Sequence, residues 1–480
     1  MATEEETLTG SPSDMILADQ QLHEESHPRK RQRTISFTDD LASEEPTKGV
    51  FPCFNDGDVI VTLKDSKRLH VWRLHSGTLA KGSAKIKKAL TIEDDLAREV
   101  ETPDGIKFHL TLAEPQQPPT MPLLVSRALN LIPEDAMTRV VSCRDRNSWA
   151  ASPTPSGDNS VATQIKVEEQ EGWDTSQCPG NLSARTQSEI CSAYDNLFRH
   201  LYGLPLRLST TVTVQHSLFR AEVLVSVFRA QGCLPSIRPH LGNVFSQYRR
   251  GLFEAIARDP CRWINLSIPL ENESIYTEAY VHLVGSLSKY TKLDTRTIQP
   301  ALMTKIKKKH ENLMHAQEKV IGELLRLTIH VDGKPVTMGA QLETWIAVAL
   351  FRDWLAIELD KTERRAPGTV RHRRETSSTS STTSPLGIGS LLRRIHRGGD
   401  EYLEYDAVLK EAKEVYEVLG SDWEDLAEDL RTLKKFASKV VEKLCANNLM
   451  LDPELYGIPY LTCMDVGTKD LPWLAEKEGA

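Results

Sequence analysis

The run from Phe54 to Ile86, FNDGDVIVTLKDSKRLHVWRLHSGTLAKGSAKI, constrains the fold of this chain more than any other. Asn55-Asp56-Gly57-Asp58 is a turn: glycine tolerates positive φ, and Asx side chains bond nearby backbone. Val59-Ile60-Val61-Thr62-Leu63 is apolar and β-branched, and reads as a strand. Asp65-Ser66-Lys67 is a polar reversal. Leu69-His70-Val71-Trp72-Arg73-Leu74 alternates and reads as the returning strand. Ser76 or Thr78 is then placed to cap a short helix that buries Leu79 and Ile86. A hairpin followed by a helix is packing architecture, so this stretch points to an interaction module before a catalyst.

The same residues resemble the start of a BTB/POZ domain of the type common in fungal proteins. The resemblance is carried by Asp56, Gly57 and Asp58 before the strand, then by His75 after Leu74, Leu79 four residues on and Ser83 four further. It implies an α+β fold with a small three-stranded sheet and helices, and a function in protein–protein contact. In that family the matching Asp and His shape the fold or a charged pocket. Gly105 to Leu112 alternates and reads as the third strand. The helix expected to follow, ending in an apolar-Tyr-Gly motif, does not come at once. Residues 114–187 are rich in Pro, Ser, Thr, Gln and Glu and read as a disordered insertion. Leu123 to Val141 is its one piece expected to be ordered.

Order resumes at 188. Tyr194, Leu197, Phe198 and Leu201 share a helical face, and Leu201-Tyr202-Gly203 supplies the awaited motif. His216 to Arg229 reads as a second amphipathic helix, Val244 to Ile256 as another, and Ile275 to Gly285 as a further one. The division expected is therefore a tail (1–50), a first BTB-like half (51–113), the insertion (114–187), a second half (188–241) and a helical extension (242–361). A basic Ser/Thr-rich linker (362–398) and a C-terminal helical region with an irregular tail (399–480) complete it. The extension, with Pro260, Trp263 and the run Ile275 to Gly285, resembles the BACK-type helices that follow such domains. Glycines 387 and 389 are read there as linker flexibility.

Composition narrows the functional classes. The formal net charge of -8 argues against a globally basic nucleic-acid coat. Eight cysteines without a C-x-x-C pair argue against a disulfide framework or a zinc site. The acidic, polar start is read as carrying no secretory signal, and no long apolar run suggests a membrane span. The dinucleotide, P-loop, nucleophile-elbow and H-E-x-x-H patterns do not occur. Asp56 and Asp58 are explained by the turn, His75 by a buried core position, and Glu278 with His282 by an i, i+4 structural pair. The chain is thus expected not to be an enzyme and to need no cofactor or metal.

Short motifs suggest address and regulation. Arg29, Lys30, Arg31 and Arg33 form a compact basic cluster in acidic surroundings, a nuclear-import candidate. Ser36 follows at a spacing basophilic kinases accept. Lys166, in Ile165-Lys166-Val167-Glu168, resembles a SUMO acceptor, with accident of composition as the alternative. The expectation is a nuclear, and also cytoplasmic, self-associating adaptor. It would form a homodimer through the BTB-like domain and recruit a cullin ubiquitin ligase or a transcriptional cofactor. The competing expectation is a nucleic-acid-binding regulator using Arg29 to Arg33, Lys305 to Lys309 and Arg364 to Arg374.

Overall fold

The computed structural model describes residues 51–52, 54–65, 68–91, 105–113, 121–137, 184–208, 213–287, 293–364, 387–415, 423 and 425–474. Strand β1 (Val59–Lys64) pairs antiparallel with β2 (Leu69–Leu74), Val59 opposite Leu74. Two short helices follow, α1 (Ser76–Gly82) and α2 (Ala84–Thr91). They lie in the crossover that lets β3 (Phe108–Leu112) pair parallel with β1, Val59 opposite Phe108. A fourth strand, β4 (Leu124–Arg127), pairs antiparallel with β3. The sheet order is β2-β1-β3-β4.

The sheet therefore has four strands where three were expected, and the extra one lies in Leu123 to Val141, the one piece of the insertion expected to be ordered, which was not assigned to the sheet. Four residues, LVSR, are too few to register an alternation. Pairing with β3 and burial of Leu124 make them a strand. Both sheet faces are covered. Val59, Val61 and Leu63 enter the main core, while Ile60 and Ile106 form a second cluster against Leu129, Ile132 and Met137. A strand buried on both faces needs an unbroken apolar run, and Val59-Ile60-Val61 provides one.

Helix α3 (Ala184–Leu201) packs Ile190, Tyr194, Leu197 and Phe198 into the same core as β1 and β2. It ends where Gly203 takes φ +67, with Leu204 N–H bonded to Arg199 O at 2.8 Å. Helix α4 (Val214–Ala230) is capped by Thr213, whose side chain accepts from His216 N. Helix α5 (Leu234–Gln247) follows. The single helix expected over 244–256 is interrupted: Arg249 takes φ 49, and a separate α6 (Arg250–Arg258) begins. Its side-chain pattern runs through the break, which is why periodicity alone did not reveal it.

Helix α7 (Pro260–Leu270) starts on an Asp259 cap, and α8 (Glu273–Ser286) on an Asn272 cap. Every residue from Glu278 to Ser286 is buried, so α8 is a central core helix. Helix α9 (Pro300–Leu325), the hairpin β5 (His330–Val331) and β6 (Lys334–Pro335), and α10 (Leu342–Arg364) come next. The hairpin is a small departure from the all-helical region expected. Helices α11 (Ile388–Arg397), α12 (Tyr405–Val415) and α13 (Leu426–Val441) complete the set. Gly420 and Ser421, between the last two, lie outside the described residues. No described helix is long and apolar enough to cross a membrane.

The last part of the expected linker is corrected by α11, which buries Ile388, Leu391, Leu392 and Ile395. Gly387 and Gly389 are contact glycines: a Cβ on either would stand 2.3 Å from the carbonyl oxygen of Pro459 or Tyr460. Those two residues belong to a largely irregular belt, 445–474, laid along α8 and α11. Gly285 of α8 meets the belt in the same way, with Leu461 O 2.5 Å from a would-be Cβ. Arg393, only 8% exposed, spends its guanidinium on the Tyr460 and Ile458 carbonyls and the Glu454 carboxylate.

Candidate functional site

The residues singled out by their pattern converge where the first strands meet the end of α3. Asp58, at the foot of β1, accepts from both the backbone N–H and the hydroxyl of Ser76, each at 2.7 Å. Ser76 is therefore not the helix cap, and neither is Thr78. The N-cap position is His75, and the carboxylate of Asp58 satisfies the donors of the first turn from across the chain. Gly57 is required by close approach: a Cβ there would lie 2.8 Å from Leu74 O. Arg73 Nε donates to the Gly57 carbonyl at 2.8 Å.

His75 is the hub. Its backbone N–H donates to the Tyr202 hydroxyl at 2.6 Å, and its Nδ1 lies 3.0 Å from the same oxygen. Its Nε2 stands 3.1 Å from Asp56 Oδ1. One proton arrangement satisfies all three contacts: Tyr202 O–H donates to Nδ1, and Nε2–H donates to Asp56. The hydrogen bond from His75 holds the Asp56 carboxyl below the usual carboxylate range, although Asp56 itself is exposed. Burial pushes the Tyr202 phenol above its ordinary value. Phe54 stacks on Tyr202, ring centroids 4.6 Å apart, and Phe51 meets both rings edge-on.

Leu79 is fully buried in the core beneath this cluster. Ser83 joins α1 and α2 to the end of α4: its Oγ donates to Gln231 O at 2.7 Å and accepts from Ile86 N at 3.2 Å. Two further ties run the same way. Trp72 Nε1 donates to Asp195 Oδ1 at 3.1 Å, and Tyr194 O–H donates to Pro122 O at 2.8 Å. The segments on either side of residues 138–183 thus share one core and one polar network. Arg29, Lys30, Arg31, Arg33, Ser36 and Lys166 lie outside the described residues.

Several polar positions were not legible in the sequence. Asp65, read as part of a polar reversal, is buried, and accepts from Arg68 N at 2.7 Å and from His70 Nε2 at 3.0 Å. Gln231 is also buried, with its Nε2 donating to Tyr194 OH at 3.2 Å. Glu278 and His282 are buried and 3.7 Å apart, but each makes its hydrogen bond elsewhere. Glu278 Oε2 accepts from Met450 N at 2.9 Å, and His282 Nδ1 meets Tyr460 OH at 2.7 Å. The pair serves as an anchor for the belt. Only the i, i+4 spacing was visible in advance; the partners lie more than 170 positions away.

The basic groups of α9 divide. Lys305, Lys307 and Lys308 are exposed, while Lys309 is held by Asp470 at 3.1 Å. Among the described residues there is no group of His, Cys, Asp or Glu that could hold a metal ion. Burial pushes the Cys191, Cys261 and Cys445 thiols up to about 12, which makes them poor nucleophiles. Comparison of the chain with family models, with curated proteins and with solved structures found no match in any of the three.

Proposed function

We propose that this chain is a BTB/POZ-like adaptor that works by surface recognition, self-associates and acts in the nucleus, and is not a catalyst. The observation that carries this reading is how the motif residues are used. Asp58 closes on Ser76 within the first segment, and His75 on Tyr202 and Ser83 on Gln231 join that segment to the second, so the conspicuous polar side chains are consumed in building the fold. A resemblance resting on Asp56 to Asp58, His75, Leu79, Ser83 and Tyr202 gains weight when those positions contact one another or share one core. The half-buried Phe51 and Phe54, with exposed Asp56 beside them, offer a face for a second copy. The helices after 242 would then present the surface that recruits a ubiquitin ligase or a transcriptional regulator.

Light scattering on the full-length protein after size exclusion tests self-association. A dimer mass is expected, and a clean monomer at high micromolar concentration would sink that part of the reading. The address is tested separately by replacing Arg29, Lys30 and Arg31 with Ala in a tagged protein. Loss of nuclear accumulation is expected, and an unchanged distribution refutes the signal.

A further inference from the structure

Helices α3, α4 and α5 enclose a cleft that none of the residues discussed so far uses. Its floor is apolar: Ala193, Ala221, Leu224, Leu241 and Phe245, all buried. One wall is Arg207 and Leu208, held in place because Arg207 N–H donates to Asn196 Oδ1 at 2.7 Å. The cavity measures about 30 Å³, and the wider empty space, part of it continuous with solvent, about 460 Å³. A cavity of that size holds about two water-sized groups. It suits the methyls of a branched aliphatic side chain.

The rim is cationic. Arg207 and Arg220 both line the mouth and both are substantially exposed. Around it, the guanidinium groups of Arg199, Arg207 and Arg220 share two carboxylates, Glu189 and Asp195, and Arg185 stands beside them. Asp195 is already taken by Arg199 at 2.8 Å and Trp72 Nε1 at 3.1 Å, which leaves Arg207 at 4.0 Å. Glu189 serves Arg220 at 3.1 Å. Among the described residues Arg185 meets no carboxylate; its Nη2 lies 3.1 Å from His216 Nδ1, and its guanidinium rests on the Phe219 ring. The His216 imidazole is held below its ordinary pKa, first by burial and then by Arg220, so it adds no second positive charge at neutral pH.

An apolar slot bordered by guanidinium groups in excess over carboxylates has a complementary ligand. We propose that this cleft docks an acidic peptide segment of a partner protein. One Leu, Ile or Val side chain seats on the floor, and flanking Asp or Glu carboxylates pair with Arg207 and Arg220. Arginine suits this role because its planar fork pairs with carboxylates bidentately and is weakly hydrated. A phosphate backbone would use the charges but leave the slot empty, which is why a peptide is the better fit. The site deepens the adaptor reading by naming a class of partner, and it takes from that reading only that the ligand is a protein.

The test is selection of short random peptides, displayed on phage, against the immobilised full-length protein. Enriched sequences are expected to carry a branched aliphatic residue flanked by Asp or Glu. A fluorescein-labelled synthetic winner should bind the R207E/R220E variant at least about tenfold more weakly, since two rim charges are reversed. R207K/R220K should bind more tightly than the charge reversal but more weakly than the parent protein, because the charge is kept and the bidentate fork is lost, and replacing the aliphatic residue of the peptide by Ser should abolish binding. Thermal melts of the variants separate loss of the site from loss of the fold, and R207Q/R220Q is the substitute if the charge reversal unfolds the protein. No enrichment over an unrelated immobilised protein overturns the proposal. So do winners without acidic residues, equal binding by the double variant, or displacement of the peptide by a DNA oligonucleotide of matched charge. A monomer in light scattering leaves this site untouched, so the two readings fail independently.

Discussion

Gly389→Ala is the sharpest probe of how the C-terminal belt is held. Gly389 sits in the first turn of α11, its N–H donating to Pro459 O at 2.9 Å. An added methyl would lie 2.3 Å from Tyr460 O, 2.4 Å from its carbonyl carbon and 2.9 Å from Pro459 O. These are backbone atoms with no rotamer to yield, so the belt must retreat by roughly 1 Å to reach ordinary contact. Overpacking of this kind costs about 1–3 kcal/mol. The strained Gly389–Pro459 hydrogen bond adds about 0.5–1.5 kcal/mol. Against that, alanine is the better helix former by up to about 1 kcal/mol. The contact terms win, and a net loss of about 2 kcal/mol is expected. Gly77→Ala is the control of opposite sign. It lies in α1 with nothing within 4 Å of the new Cβ, so only the propensity gain remains, about 0.5 kcal/mol of stabilisation. Urea unfolding monitored by Trp fluorescence measures both, with limited proteolysis reporting whether residues 445–474 loosen first. Equal effects from the two substitutions would refute the contact assigned to Gly389.

Other outcomes follow from single polar contacts. Tyr202→Phe deprives the His75 N–H and Nδ1 of their shared partner; a loss of about 1–2 kcal/mol in urea unfolding is expected, and no measurable change would remove Tyr202 as the tie between the segments. Glu222→Ala strips a bidentate partner from Arg262, whose Nε and Nη2 stand 3.0 and 2.6 Å from the carboxylate. A loss of about 2–4 kcal/mol is expected, larger than for Glu222→Gln, and the reverse order would contradict the pairing. Burial holds the His109 imidazole below its ordinary pKa, and its Nε2 lies 2.8 Å from Thr62 Oγ1. The unfolded chain therefore takes up the proton first, and this contribution to stability is present above about pH 6.5 and lost as pH falls toward the lower folded value. His109→Gln should flatten that acid limb relative to the parent protein, and parallel pH profiles would rule the residue out as its source.

Local chemistry was readable from the residues themselves. Asn55 to Asp58 is a turn because of Gly57 and its Asx neighbours. Val59 to Leu63 is a strand because β-branched side chains suit a pleated surface, and Gly203 ends α3 because it accepts positive φ. Each depends on a few adjacent residues, so sequence alone determined it. The same holds for the main helices, whose faces repeat within their own length. What only the tertiary structure decided is non-local. Nothing in LVSR states that it will find β3, and nothing in Gly387 and Gly389 distinguishes a flexible joint from a surface shaped to admit Pro459 and Tyr460. Asp58 and His75 were visible as conspicuous residues. Their partners, Ser76 and Tyr202, follow from chain geometry, and Tyr202 is 127 positions away. Spacing encodes what a residue does to its neighbours in the chain; contact with a distant residue depends on how the whole core closes.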